Sequence, residues 1–314
     1  MLIHMTSHFP IGSRDVHRVL AQLLLLMLAP VSVSGCTGRA AVDATASGGR
    51  WEGEFSFILV TDPQLGMFTN DKGFTKETEL LEKAIAHANR LKPAFVLVCG
   101  DMINKPGDET QIAEFHRIAT KLDKSIPIHL VAGNHDLGNV PTQESLDQYR
   151  KAFGKDWYSF DVRGCHFIVI DTTLVHSPAK AKSEEAKQWA WLKKDLETAA
   201  ARKPKQIILF EHHPLFLRSP NEPADYHNLP KARRAELIEM CRKYNISAVF
   251  AGHLHRCNEA KIPGLTVFAA GPVGKPLAKD PSGLCIVNVY EDRVVHHYYG
   301  LDNVPERIAT RPAR

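Results

Sequence analysis

The chain has 314 residues, of which 44% are hydrophobic and 24% charged, and its formal net charge is +4 with neutral histidines. This length and composition are ordinary for a globular protein with one large core or two modest domains, and they exclude a wholly disordered chain. The small, evenly spread net charge argues against nucleic acid as the main partner. Sixteen histidines, several of them in short clusters, direct the search towards a metal site.

The N-terminal segment has the pattern of an export signal. Arg14 and Arg18 precede an apolar run over residues 19–33, which is too short and too interrupted for a comfortable membrane span. The run ends in VSGC (33–36), which resembles the lipobox of bacterial lipoproteins, in which a peptidase cuts before the cysteine and the thiol carries a lipid. We therefore expect a signal peptide over residues 1–35, lipidation at Cys36 and a periplasmic or membrane-tethered protein. The alternative is an ordinary secretory signal with an incidental cysteine.

Residues 36–53 are rich in Ala, Gly, Ser and Thr and predict a flexible tether to the domain that follows. Beyond Cys36 the chain has five scattered cysteines and no C-x-x-C pair, so neither a zinc knuckle nor a dense disulfide framework is expected. The odd number leaves at least one thiol free. Cys99 lies in an apolar run and is expected to be packed in the core.

From residue 54 onward, short apolar runs alternate with amphipathic stretches. The runs FSFILV (55–60), AFVLVCG (94–100) and IPIHLVAG (126–133) predict strands. Between them, residues 77–91 and 111–122 have apolar side chains at helical spacing. This strand–helix alternation predicts a parallel sheet with crossover helices.

The second half of the chain opens with a predicted antiparallel hairpin of residues 157–162 and 165–171. The elements predicted after it are a helix over 184–200, a strand over 206–211, a helix over 231–244, a strand over 247–252 and mostly strands over 265–299. We predict one α/β domain over residues 54–300, with two packed β-sheets forming a β-sandwich flanked by helices on both faces. A C-terminal tail is expected over residues 301–314.

Five short motifs stand at or just beyond the ends of predicted strands. They are Asp62-Pro63-Gln64, Gly100-Asp101, Gly133-Asn134-His135-Asp136, His212-His213-Pro214 and Gly252-His253-Leu254-His255. Each motif taken singly is most often a turn or an ordinary surface segment. Because ligands bind outside the carboxyl ends of the strands in open α/β sheets, the five are expected to converge on one edge and form a site.

The combination DxQ…GD…GNHD…HHP…GHLH resembles the calcineurin-like metallophosphoesterase superfamily, from residue 55 to about residue 300. Within it, TDPQLG (61–66), the segment 212–230 and GHLHRC (252–257) are similar to the subgroup that includes the animal calcineurin-like phosphoesterase-domain protein phosphatases. The resemblance implies the calcineurin-like fold, a β-sandwich with helices on both outer faces and two metal ions at one edge.

The resemblance also implies a role for each motif residue. The ligands that it implies are Asp62, Gln64 and His255 for the first metal and Asn134, His212 and His253 for the second. Asp101 would bridge both ions, and Asn134 and His135 would contact the substrate. His135 would donate a hydrogen bond or a proton to the ester, whereas His213 would be a neighbour and not a ligand.

Elementary chemistry supports these roles independently. Two divalent ions about 3.5–4 Å apart need a bridging carboxylate such as Asp101 to offset their repulsion, and together they activate a water and clamp the phosphoryl oxygens. An imidazole such as His135 stabilises charge on a leaving oxygen, and removing such a group commonly costs ~10²–10⁴-fold in rate. Gln64 stands where many family members have His. The resulting mixture of oxygen and nitrogen ligands at the metal site favours Mn²⁺ or Fe²⁺, with Zn²⁺ as the alternative.

We therefore predict an enzyme, a dinuclear-metal phosphoesterase that acts by attack of a metal-bridging hydroxide and hydrolyses phosphomonoesters. The alternatives are a phosphodiesterase or nucleotide hydrolase, a nuclease, and a catalytically silent metal-binding module. The complete ligand set disfavours the silent module, and the lack of a basic stripe with interleaved aromatics disfavours the nuclease. The expected partners are a phosphate-ester substrate and a membrane reached through the lipid anchor, with no nucleic acid and a monomeric chain.

Two further features lie near the motifs. The segment 218–230, which contains Glu222, Asp225 and Tyr226, is either an active-site rim or an ordinary surface loop. Lys275 follows the last motif and is a candidate phosphate contact, although surface lysines are common.

Overall fold

The computed structural model describes residues 50–309. The predicted signal peptide, Cys36 and almost all of the predicted tether lie outside the described residues. No helix within residues 50–309 combines the length and the apolar character that crossing a membrane requires. All five cysteines of this range carry free thiols, and Cys99 is fully buried.

Residues 50–309 form eleven strands and seven α-helices. In the first half these are β1 (Phe55–Val60), α1 (Thr75–Leu91), β2 (Val96–Cys99), α2 (Glu109–Ala119), β3 (Ile128–Val131), α3 (Asn134–Leu137), α4 (Gln143–Phe153), β4 (Tyr158–Val162) and β5 (Cys165–Val169). The second half contains α5 (Thr172–His176), α6 (Lys182–Arg202), β6 (Ile207–Phe210), α7 (Lys231–Lys243), β7 (Ile246–Ala251), β8 (Asn258–Ile262), β9 (Leu265–Ala269), β10 (Gly283–Val289) and β11 (Val294–Gly300).

The strands form two mixed sheets. The first has the order β11-β10-β1-β2-β3 and the second has the order β4-β5-β6-β7-β9-β8. The strands β1, β2 and β3 are parallel, as are β5, β6, β7 and β9, whereas the outer pairs are antiparallel. The parallel strands β1–β3 are those expected from the strand–helix alternation, and their carboxyl ends lie at a common edge.

The core between the two sheets is aromatic. The ring of Phe57 on β1 stacks on that of Phe95 at 4.7 Å and meets the rings of Phe210 and Phe250 edge-on at 5.6 and 5.9 Å. Edge-on and offset pairs of this kind suit the quadrupoles of aromatic rings. Because Phe57 comes from one sheet and Phe210 and Phe250 from the other, these contacts hold the two sheets face to face.

The helices cover the outer faces. Apolar side chains of α1, α2 and α4 pack in one buried cluster with the outer face of the first sheet, and those of α6 and α7 pack in another with the second sheet. The predicted β-sandwich flanked by helices is therefore confirmed. Packing continues beyond residue 300, since Leu301 and Val304 are also buried in the first cluster.

The structure differs from the predicted elements mainly in short helices. The sequence patterns did not predict α3, α4 or α5, and two of these have only four and five residues, too few for an amphipathic period. The predicted hairpin of β4 and β5 is confirmed. It turns through Arg163 and Gly164 with φ of 48° and 80°, the left-handed pair that a two-residue hairpin turn requires.

Candidate metal centre

The five motifs meet at the carboxyl edge of the two sheets. Asp62, Asp101 and Asn134 follow β1, β2 and β3, while His212 follows β6 and the histidine pair follows β7. All seven side chains predicted as ligands are buried: Asp62, Gln64, Asp101, Asn134, His212, His253 and His255. The structure therefore brings every predicted ligand to one edge and withdraws it from bulk water.

Asp101 lies at the middle of the cluster. Ligand atoms of Asp101, His212 and His253 all lie within 4.8 Å of one another, and so do those of Asp62, Asp101 and His255. Asp101 is the residue common to both groups. This is the position that a carboxylate bridging two ions would occupy.

Backbone carbonyls fix the orientation of the three histidine rings. The bonds are His212 Nδ1 to the Cys99 carbonyl at 3.2 Å, His253 Nε2 to the Tyr226 carbonyl at 2.9 Å and His255 Nδ1 to the Lys275 carbonyl at 2.6 Å. A carbonyl only accepts hydrogen bonds, so the bonded ring nitrogen must carry the proton. In the neutral ring the opposite nitrogen then has a lone pair, as metal ligation by imidazole requires.

The side-chain amide oxygens of Gln64 and Asn134 also face the centre. Gln64 donates its Nε2 to Asn104 Oδ1 at 2.9 Å, and its buried Oε1 has no hydrogen-bond partner. Asn134 donates its Nδ2 to Asn139 Oδ1 at 2.9 Å and to the Tyr226 hydroxyl at 3.0 Å, which turns its Oδ1 inward. A buried acceptor without a donor is unfavourable unless a cation satisfies it.

The His212 ring lies directly against two acceptor oxygens of the centre. Its Nε2 lies 3.0 Å from Asn134 Oδ1 and 3.3 Å from Asp101 Oδ2. Burial opposes a charge on His212, but the Asp101 carboxylate outweighs it and raises the pKa of the ring to about 9. A divalent ion would satisfy these converging acceptors with the neutral ring as a further ligand.

The two carboxylates differ in their surroundings. Burial raises the pKa of Asp62, with the attraction of His255 and His212 only partly offsetting it. Burial also opposes charge on Asp101, yet His212 holds the pKa of that carboxyl below its ordinary range. Two buried carboxylates this close repel one another, and positive charge placed between them relieves the repulsion.

The ligand-bearing backbone is strained. Five of the seven predicted ligands have positive φ: Asp62 at 48°, Gln64 at 41°, Asp101 at 52°, His253 at 69° and His255 at 50°. Residues other than glycine adopt this left-handed region at a cost of roughly 1 kcal/mol or more each. Such outliers concentrate at functional sites, because the rest of the fold holds them in place.

Glycines in the motifs leave room for the ligands. A Cβ on Gly100 would overlap the His212 ring, and one on Gly133 would overlap the Asp101 side chain and backbone. The turn at Gly133 is fixed by Asp136, whose carboxylate accepts from the backbone N–H groups of Gly133 at 2.9 Å and Ile103 at 3.2 Å. Asp136 thus positions the motif and does not face the centre with a free oxygen.

His135 lies beside Asp101 with part of its ring open to solvent. Its backbone N–H donates to Asp101 Oδ1 at 2.8 Å, and its ring donates from Nδ1 to the Asn104 carbonyl at 2.8 Å. The ring is only partly buried, and its Nε2 remains for a ligand. His213, by contrast, is buried with its Nδ1 3.1 Å from Thr172 Oγ1, in agreement with a neighbouring role.

The segment 218–230 makes its hydrogen bonds to the centre through Tyr226. Tyr226 supplies the carbonyl that holds His253 and the hydroxyl that accepts from Asn134. Glu222 instead turns into the loop, where its carboxylate accepts from the backbone N–H groups of Leu217, Arg218 and Ser219. Asp225 accepts from the His227 backbone. The loop is therefore a rim of the centre at Tyr226.

Two supporting contacts were not predicted from the sequence, those of Asn104 and that of the Lys275 carbonyl; Lys275 was predicted only as a candidate phosphate contact. Asn104 orients Gln64 through its side chain and His135 through its carbonyl. Lys275 contributes through its carbonyl, while its ammonium group lies 5.7 Å from the centre of the Phe68 ring. No motif marks such partners, because any residue type supplies a backbone carbonyl.

The donor set fits two divalent ions. The first would take oxygens of Asp62, Gln64 and Asp101 and a nitrogen of His255. The second would take oxygens of Asp101 and Asn134 and nitrogens of His212 and His253. Each set mixes oxygen and nitrogen donors, as first-row divalent metals prefer.

Known phosphoesterases are similar to this chain in sequence. A family model described as calcineurin-like phosphoesterase matches residues 55–257. Serine/threonine-protein phosphatase CPPED1 of Pongo abelii is 36% identical over 273 residues, which cover 82% of this chain and 87% of the relative. The same identity and coverage hold for CPPED1 of Homo sapiens.

A solved structure shares the fold. A dimetal phosphatase from Danio rerio superimposes with a TM-score of 0.58 over 79% of this chain and 96% of that chain, at 15% sequence identity. At this identity the likeness concerns the fold alone. The family model and the curated relatives show that this chain belongs to the calcineurin-like phosphoesterase family, as a metal-dependent phosphoric ester hydrolase.

Proposed function

We propose that this protein is a phosphomonoesterase that works with two divalent ions at the centre described above. The observation that carries the proposal is the convergence of buried ligand atoms on Asp101. Backbone carbonyls hold the three histidine rings on their far sides, and Gln64 Oε1 is left without a hydrogen-bond partner. When bound, two divalent ions activate water and draw charge from the phosphoryl oxygens. The relatives named as protein phosphatases support a monoester substrate.

The chain's own residues would bind and orient the ester. Asn134 is held by Asn139 and Tyr226 and stays rigid beside the phosphoryl group. His135, whose Nδ1 is committed to the Asn104 carbonyl, would donate from Nε2 to the leaving oxygen as negative charge develops there. Removal of this donor is expected to lower kcat by ~10²–10⁴-fold.

For the metals themselves we propose Mn²⁺ or Fe²⁺, with Zn²⁺ as the alternative. The amide oxygens of Gln64 and Asn134 are hard ligands, which favour these ions over metals that prefer thiolates. The metal content of purified protein, measured by mass spectrometry after expression in unsupplemented medium, tests this choice.

The decisive experiment compares p-nitrophenyl phosphate with bis-p-nitrophenyl phosphate. Protein stripped of metal and refilled with Mn²⁺, Fe²⁺ or Zn²⁺ is assayed beside the variants Asn134→Ala and His255→Ala, with the exposed His297→Ala as the matched control. We expect metal-dependent turnover that prefers the monoester, is lost in both site variants and is retained in the control. Preference for the diester would replace the monoesterase by a phosphodiesterase, and absence of both metal binding and turnover would refute the catalytic proposal and leave a non-catalytic binding module.

We further propose that the chain is exported and tethered to a membrane through a lipid on Cys36, which rests on the lipobox-like VSGC (33–36). Labelling of bacterial cells with a palmitate analogue is expected to mark the wild type and not Cys36→Ser. Equal labelling of both proteins would remove the proposal and favour an ordinary secretory signal.

A further inference from the structure

Large hydrophobic side chains are exposed at the rim of the metal centre. Within residues 50–309 the exposed ones are Val140, Tyr226 and Leu277, at 41%, 45% and 63% of their full accessible surface. Single exposed apolar residues are normal on any protein. These three, however, each lie on a segment that bonds directly to a predicted ligand, so the exposure is concentrated around one site.

Tyr226 is the best fixed of the three. Its hydroxyl lies 3.0 Å from Asn134 Nδ2, its carbonyl 2.9 Å from His253 Nε2, and its ring centre 4.6 Å from that of the His253 ring. The ring is thus held at three points beside ligands of the second metal. Nearly half of its surface nevertheless stays open to solvent.

The other two side chains adjoin ligands through neighbouring residues. Val140 follows Asn139, whose side chain accepts from Asn134. The Leu277 backbone N–H donates to the His255 carbonyl at 3.1 Å. Val140 is therefore next to a residue bonded to a predicted ligand of the second metal, and Leu277 is bonded through its backbone to a predicted ligand of the first.

The rim loop that carries Tyr226 is ordered by internal hydrogen bonds. The fully buried guanidinium of Arg234 donates to the carbonyls of Leu229, Pro220 and Glu222 at 2.7 to 3.2 Å. The Glu222 carboxylate accepts from the other end of the same loop. A surface ordered before binding loses little entropy when a ligand covers it.

We propose that this surface binds the alcohol portion of the substrate, and that this portion is apolar or aromatic. The substrate class is then a phosphomonoester with an aryl or hydrocarbon leaving group, in contrast to glycerol or sugar phosphates, which offer no apolar area to bury. The inference rests on the proposed function for its phosphoryl end. It adds the chemistry of the other end of the ester.

Binding tests the inference without turnover. Metal-loaded protein is titrated calorimetrically with methylphosphonate, hexylphosphonate and 2-naphthylmethylphosphonate, which share the phosphoryl group and differ in apolar area. We expect the two larger probes to bind about tenfold more tightly than methylphosphonate, given the usual gain from burying an apolar or aromatic group on a partly open surface. The ratio between hexyl and naphthylmethyl probes separates an alkyl from an aryl preference.

Substitutions at the rim test whether its side chains cause the preference for the larger phosphonates. Leu277→Ser combined with Val140→Thr is expected to reduce the tenfold preference to about threefold or less, whereas Tyr226→Phe keeps the ring and retains the preference. Tyr244→Ala is the matched control, because Tyr244 precedes β7 at the opposite edge of the sheet. Hydrolysis of phenyl and 2-naphthyl phosphates, whose leaving groups are similarly acidic, should follow the same order through KM.

The possible results distinguish the apolar binding surface from the proposed phosphomonoesterase function. Equal affinity for all three phosphonates, or a preference that the rim variants leave unchanged, overturns this inference even if p-nitrophenyl phosphate is hydrolysed. Absent turnover with a preserved, rim-dependent preference overturns the proposed function and supports the apolar binding surface.

Discussion

Replacing Gly100 by Ala is expected to disable the second metal position while leaving the protein folded. Gly100 has a φ of +83°, and a Cβ there would lie 2.6 Å from Cγ and 2.9 Å from Cε1 of His212, with Nδ1 closer still. Ordinary contacts of a Cβ begin near 3.4 Å, so the ring must move by roughly 1 Å. Its Nδ1 is tied to the Cys99 carbonyl, and movement weakens that bond too.

The expected loss of folding free energy in Gly100→Ala has two parts. Alanine in the left-handed region costs about 1–2 kcal/mol, and crowding of a packed site adds about 1–3 kcal/mol. A misplacement of about 1 Å at a reacting centre costs ~10²-fold in rate, and we expect a similar loss in affinity for the second ion.

A matched control separates the backbone strain from the crowding of the His212 ring. Gly264 has a φ of +80° and no atom within 4 Å of its would-be Cβ, and it lies in the turn between β8 and β9. Gly264→Ala therefore carries the backbone strain without the crowding. Denaturant unfolding gives the stability of both variants, and calorimetric titration with Mn²⁺ gives the number and affinity of bound ions. If Gly100→Ala binds two ions within threefold of Gly264→Ala, the reasoning about the His212 ring is refuted.

Three other substitutions test separate features. Asn104→Ala frees the Gln64 amide to rotate and is expected to weaken the first metal ~10–100-fold, measured by titration, with unchanged unfolding as evidence against a general defect. Asp101→Asn keeps the shape but removes the bridging charge, so at most one ion is expected to bind; two tightly bound ions would contradict the bridge. Burial lowers the pKa of His129 to about 4, so the neutral ring stabilises the fold above the unfolded value near 6.5, and this stability is lost as the pH falls towards 4. Both proteins are compared without metal. Between pH 7.5 and 4.5, the unfolding free energy of His129→Phe should drop by about 2 kcal/mol less than that of the wild type. An equal drop would refute the lowered pKa of His129.

The strands and the ligands were predictable because each rests on a local signal. Runs such as residues 55–60 and 247–252 are apolar except for one serine each, which is typical of strands covered on both faces. Ligands placed directly after such runs must meet at the strand ends. The family resemblance then assigns a role to each ligand, which spacing alone does not.

The groups that orient the ligands were not predictable in this way. Tyr226 and Lys275 act through carbonyls, and the sequence does not mark a carbonyl that accepts a bond from a histidine many residues away. Asn104 lies only three residues after Asp101 in a turn, where asparagine is common for reasons of backbone conformation. Its contact with Gln64 depends on how two loops approach one another in space.

The last motif shows why spacing is necessary but not sufficient. Residues at i and i+2 of an extended segment point to the same side, which would direct His253 and His255 to one ion. Here both residues have positive φ, 69° and 50°, and their rings are anchored by carbonyls from different loops. His253 is protonated on Nε2 and His255 on Nδ1, so the two rings present different nitrogens. The strained turn therefore places His253 with Asp101 and His212, and His255 with Asp101 and Asp62, so that one short segment would supply a ligand to each of the two proposed metal positions.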